Sequence, residues 1–160
     1  MRRAAEVGGG AIAAFLVMTL LAKVHPLAGL VLNPFVVAVL LLGLIRGEVV
    51  GSVAGAVCGL VADTFSLGLF GIAGLALTPM GFGAGFISRK INVWAASRLF
   101  VFFFFLAAAE LVLWGGLTAL VFGRAASWSG GVVLVQPAAN ALAALGGHRL
   151  FEKVRAGHER

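Results

Sequence analysis

The sequence predicts an all-α integral membrane protein with six transmembrane helices. Three observations lead there. Of 160 residues, 61% are hydrophobic and only 11% charged, where a soluble domain carries roughly 25% charged residues. So few charges cannot cover a water-facing surface. The apolar residues gather in six runs, most of them near the roughly 20 residues that a bilayer crossing needs. The basic residues sit singly or in small groups between those runs, strongly biased to one side.

The first run covers residues 4–22. Met1-Arg2-Arg3 ahead of it resembles the start of a leader, but the small residues Ala11-Ile12-Ala13 fall inside the run rather than after it. The run therefore reads as an uncleaved first span. It carries a row of small residues, Ala5, Gly9 and Ala13, with Gly10 and Ala14 beside it. Lys23-Val24-His25-Pro26 then makes a turn. The second run covers residues 27–45. Asn33-Pro34 lies within it, so the helix starts near Pro34 or kinks there. Arg46-Gly47 leaves almost no connection, which makes the second and third runs a helical hairpin.

The third run, residues 48–62, is the most distinctive. Glycine recurs at Gly47, Gly51, Gly55 and Gly59, and the segment closes on Asp63. Residues four apart share a helix face, so this row is a groove without side chains. Each glycine costs about 1 kcal/mol in a water-exposed helix, but a bilayer enforces helix because the backbone has no water to bond. The groove then admits another helix at close backbone distance. The spacing does not say whether that helix belongs to the same chain.

Residues 63–71 are apolar yet rich in turn formers, which suits a loop kept in or near the membrane. The fourth run, residues 70–87, carries Gly81 and Gly85 and ends at Arg89 and Lys90. The fifth covers residues 99–122. Its four phenylalanines, Phe102 to Phe105, occupy all sides of a turn and suit lipid contact. The sixth covers residues 130–145 and is expected to kink at Pro137. Residues 148–160 form a basic tail. One membrane domain accounts for the whole chain.

Orientation follows from the basic residues. With the amino terminus inside, ten of the twelve fall on the cytoplasmic side and only Lys23 and Arg124 outside, which satisfies the positive-inside rule. Both termini are expected in the cytoplasm. The net charge of +6 is thus topological information, not a stripe for nucleic acid. Cys58 stands alone in an apolar helix, so there is no disulfide framework. His25, His148 and His158 fall on both sides of the membrane and cannot form one metal site. No serine has a neighbouring base. No catalytic, cofactor or metal residues are expected.

Three polar residues of the fifth and sixth spans are the intramembrane candidates. Glu110 lies near the centre of the fifth, with Asn140 and Gln136 at similar depth in the sixth. A charge at that depth is costly and faces protein or a cavity. Glu110 reads either as a proton, cation or partner site, or as a neutral carboxyl bonded to another polar side chain. Asp63 reads as a cap on the turn at Thr64 and on the next segment, or as a partner or cation contact. Glu48 complements the helix dipole at the start of the third run, with Arg46 nearby.

From Asn33 to Arg89 the chain resembles the bacterial rod shape-determining protein MreD family. The resemblance rests on Pro34 opening an apolar helix, then Gly55, Gly59, Leu60 and Asp63, then Ser66, Gly68 and Gly71 in the loop, then Gly81, Gly85, Arg89 and Lys90. It implies a fold like the substrate-binding subunits (S-components) of energy-coupling factor transporters. It also implies a non-enzymatic scaffold in the inner membrane. Such a scaffold pairs with the single-span protein MreC and helps link MreB filaments to the peptidoglycan synthase RodA and its partner transpeptidase. The alternative is a vitamin-uptake subunit of an energy-coupling factor transporter, whose docking row Ala5, Gly9 and Ala13 imitates. A small proton-coupled carrier would rest on Glu110 alone. On the scaffold reading, the glycine row and its loop, Gly47, Gly51, Gly55, Gly59, Asp63, Gly68 and Gly71, form the hairpin around which partner contacts are arranged.

Overall fold

The computed structural model describes residues 2–24, 31–64, 71–91, 95–123 and 132–158. His25, Ser66, Gly68, Trp94, Arg124 and Trp128 lie outside these residues. Among the described residues there are six helices and no strand: α1 (Arg2–Val24), α2 (Pro34–Arg46), α3 (Glu48–Asp63), α4 (Ile72–Lys90), α5 (Ala96–Phe122) and α6 (Val132–His158). Two of them, over Ala5–Lys23 and Ala96–Phe122, are long and apolar enough to cross a membrane.

Local chemistry sets the boundaries. Asn33 caps α2, its side chain accepting from the Phe35 amide at 3.1 Å, and Pro34 takes the first helical position, where its missing N–H costs nothing. The second run therefore becomes a helix of 13 residues, starting at the proline. Gly47 alone separates α2 from α3, with φ +94°. An L side chain rarely adopts that conformation. α6 differs from expectation at its end: it runs through Pro137 and on to His158. The basic tail is a continuation of the helix, because no proline follows Pro137 and Arg149, Leu150, Glu152 and Lys153 are good helix formers.

α3 and α4 form the central antiparallel pair, the most extensive contact in the bundle, with α2 packed on both. The core gathers Phe35, Val36, Val39 and Leu40 from α2, Ala54 and Cys58 from α3, and Leu77 and Ala84 from α4. Phe103 and Ala107 of α5 and Ala141 and Ala144 of α6 complete it. α1 enters through Val7, Ala11 and Ala14. The Ala5, Gly9 and Ala13 row instead lies on its exposed side. Phe103 is fully buried while Phe105 is 66% exposed. The four phenylalanines thus do not share a lipid-facing role, since successive helix positions rotate by about 100° and one must point inward.

Large apolar residues line the outside. Ile12, Leu20, Val49, Leu75, Phe105, Val112, Leu134 and Leu142 are all at least 60% exposed. The interior of α3 and the facing part of α4 are mostly glycine and alanine. A water-soluble bundle distributes these residues the other way round.

Candidate functional site

The glycine row is filled from within the chain. A Cβ on Gly51 would collide with the Gly81 carbonyl, one on Gly55 with the Leu77 carbonyl, and one on Gly59 with the Gly74 backbone. In return, a Cβ on Gly81 would strike the Gly51 carbonyl and one on Gly85 the Glu48 backbone. Each collision falls under 3.0 Å, closer than real Cβ atoms come. The partners pair off evenly along two antiparallel helices, so α4 occupies the groove for its whole length. The row therefore serves intramolecular packing, and its groove is closed to any other chain. Gly43 joins the same junction: a Cβ there would lie 2.9 Å from the Ala84 side chain, and that of Gly51 would lie 2.8 Å from the Gly43 Cα. Gly43 continues the four-residue spacing one step before Gly47; the hairpin turn interrupts the pattern and hides it from a reading of one helix.

Asp63 sits at the far end of this pair and is buried to 3% exposure. Its Oδ2 accepts from the Gly71 amide at 2.7 Å and its Oδ1 from the Ala73 amide at 3.1 Å. Gly71 is the N-cap of α4, in the left-handed conformation at φ +104° with no side chain to offer. Asp63 therefore supplies the cap from the preceding helix, and its charge meets the positive end of the α4 dipole. Thr64 closes its own turn by donating to the Val61 carbonyl at 2.6 Å.

Among the described residues, two ion pairs join helices at the opposite end of the bundle. Arg46 bonds Glu6 at 3.0 Å, tying α2 to α1, and Arg89 bonds Glu48 at 2.9 Å, tying α4 to α3. Glu48 thus pairs with Arg89 rather than with Arg46. The Arg89 guanidinium also lies over Gly47, filling the space a Cβ would take. Glu6 was not singled out from sequence, although an acid inside the first apolar run was a visible signal. Among the described residues, each glutamate keeps one buried oxygen, Oε2, without a hydrogen-bond partner.

The polar candidates of the fifth and sixth runs do not form a set. Asn140, 1% exposed, accepts from the Asn33 amide at 2.8 Å and so secures the start of α2 from α6. Two asparagines in series then hold that end, since Asn33 itself accepts from Phe35. Gln136 is half-buried on α6. Glu110 is 5% exposed, in a buried stripe with Phe103, Ala107, Leu111 and Gly115. Among the described residues its carboxyl makes no hydrogen bond or ion pair, either with Asn140 or with Gln136. No group of three or more His, Cys, Asp or Glu side chains could hold a metal ion among the described residues.

The chain matches no protein-family model, no curated protein and no solved structure.

Proposed function

We propose that the protein is a non-enzymatic, multi-pass scaffold of the bacterial inner membrane, acting in cell elongation as the MreD-like residues suggest. One observation carries the reading: the polar side chains near helix ends are spent on joining helices, while large apolar side chains cover the outside. Asp63, Asn33 and Asn140 cap helices, and Glu6–Arg46 and Glu48–Arg89 tie them together. Such a molecule offers rigid, lipid-compatible surfaces. α2, at about 20 Å, is short for a crossing alone, but it is held between longer neighbours. With the basic-residue bias, six crossings place both termini inside. Partner contacts would use the exposed outer faces, since α4 already fills the glycine groove. A single-span partner of the MreC type, with indirect links to MreB filaments and to RodA and its transpeptidase, fits this role.

Depletion in a rod-shaped host tests the reading. Rods should round into spheres, and a single-span periplasmic protein should co-purify with the chain. Unchanged shape with a bound vitamin after purification would overturn it in favour of the uptake subunit.

A further inference from the structure

α2 is the central helix of the bundle. Among the described residues it packs against α1, α3, α4, α5 and α6. These five form a ring around it: α1 packs on α3, α3 on α4, α4 on α5 and α5 on α6. The ring stops there, since α6 and α1 do not pack on each other among the described residues. Helix axes pack about 8–10 Å apart, which leaves room for about six equal neighbours around one helix. The seam between α6 and α1 is the sixth position. It is a groove of about 500 Å³, running the length of α2 from Leu32 and Pro34 at one end to Ile45 and Arg46 at the other. Its walls, Gly10 and Ala13 of α1 and Ala143 and Gly147 of α6, carry no bulk. Its floor, Val37, Ala38, Leu41 and Leu42, is half-buried, whereas Val36, Val39 and Leu40 on the other faces of α2 are fully buried.

We infer that a membrane-crossing helix of another protein lies in this seam, with an acidic side chain near its cytoplasmic end. The inference rests on the membrane placement and scaffold role proposed above, and it names the face that the partner uses. Shape is the first reason. The groove follows a proposed crossing from end to end, so its occupant must cross as well; a phospholipid tail reaches only from one face to the midplane. A helix laid along α2 would seat its side chains on Val37, Ala38, Leu41 and Leu42 over about three and a half turns. The small residues of both walls let its backbone come close. Charge is the second reason. Arg46 stands at the cytoplasmic end of the groove with its side chain 43% exposed. Among the described residues its only partner is Glu6, reached through one terminal nitrogen at 3.0 Å. A guanidinium has more N–H groups than that pair uses, and a carboxylate is their strongest acceptor. The same charge argues against a second copy of this chain. Every helix here except α3 is net basic near that end, and Glu48 of α3 is already held by Arg89.

Photo-cross-linking of the full-length chain in membranes of a rod-shaped host tests this. A photoreactive phenylalanine analogue replaces Leu41 or Ala143 in the groove, or Val53 on the outer face of α3 as the control. Both groove positions should give a discrete adduct to the same other protein, with a yield at least tenfold above that at Val53. The cross-linked peptide should be a membrane-crossing segment with Asp or Glu in its cytoplasmic turn. Replacing that acid with Lys in the captured protein should lower the yield roughly tenfold, the scale of one charge-assisted hydrogen bond. This change leaves the chain described here unaltered, so poor folding of a groove variant cannot mimic it. Ala38→Phe, which fills the floor, should also cut the adduct at Ala143 while leaving the thermal midpoint unchanged. Adducts to phospholipid alone, to a second copy of this chain or to a segment that does not cross the membrane overturn the inference. So does an equal yield at Val53, or a yield that the acid-to-Lys change does not alter. Cell shape after depletion reads the scaffold role separately: a host that stays rod-shaped removes that role and leaves the adducts to decide the groove.

Discussion

Asp63 and Glu110 are both buried acids, and the structure separates their roles. Asp63 has two backbone amides to bond; Glu110 has no partner among the described residues. Losing a helix cap costs about 0.5–2 kcal/mol. Asp63→Ala should lower the thermal midpoint in detergent accordingly, and Asp63→Asn, which keeps one acceptor, should lower it less. For Glu110 the direction reverses. A buried polar group without a partner is destabilising by about 1–3 kcal/mol, so Glu110→Leu should raise the melting temperature. A fall in stability instead would show that the carboxyl is bonded in the folded protein. If Glu110→Gln changes a cellular phenotype without changing stability, the glutamate has a functional role beyond structure. Burial of Glu110 was foreseeable from its depth in the fifth run. That Asn140 serves Asn33 instead of Glu110 was not, because 107 residues separate the bonded pair.

At the scale of the element, the α3–α4 pair is the least tolerant part of the molecule. Its backbones touch at Gly51, Gly55, Gly59, Gly74, Gly81 and Gly85, with no flexible side chain between them to give way. Overpacking costs about 1–3 kcal/mol even where neighbours can shift, and here the obstacle is backbone. Gly55→Ala should therefore cost at least that much, and Gly55→Leu or Gly59→Leu should prevent folding. Gly116 of α5 is the control. A Cβ there meets nothing within 4 Å, so Gly116→Ala should be neutral or stabilising by up to about 1 kcal/mol. Thermal unfolding of the variants in one detergent compares them directly. The periodicity of the row was visible in sequence. Its filling by α4 was not, because a featureless groove does not name its partner, and the small residues on the exposed side of α1 make an equally regular row outside the core.

For the whole molecule, the decisive prediction is topological. Capping at the Asp63 end and ion pairing at the Gly47 end give the bundle two chemically distinct poles. With Cys58 replaced by alanine, Lys23→Cys and Thr64→Cys should react with an impermeant thiol reagent in intact cells lacking an outer-membrane barrier. Arg98→Cys and Lys153→Cys should react only after permeabilisation. Labelling of all four from one side would refute six crossings. The surface of large apolar residues makes the related expectation that the chain partitions entirely with the membrane and resists extraction by high salt or alkali.

By itself the sequence determined the helical class, the positions of most helix boundaries, the α2–α3 hairpin and the face of α3 without side chains. These follow from hydropathy, proline and glycine, whose effects are local or periodic along one element. Only the tertiary structure decided what meets what: α4 in the glycine groove, Asp63 capping a helix across a loop, Glu6 with Arg46, Asn140 with Asn33, and an open groove between α1 and α6. Those pairings join residues remote in the chain, and no local preference encodes them. Small and apolar residues are nearly interchangeable as sequence signals in a membrane helix, so the few polar groups and the shapes left by glycine select one arrangement, and both act only once the helices have come together.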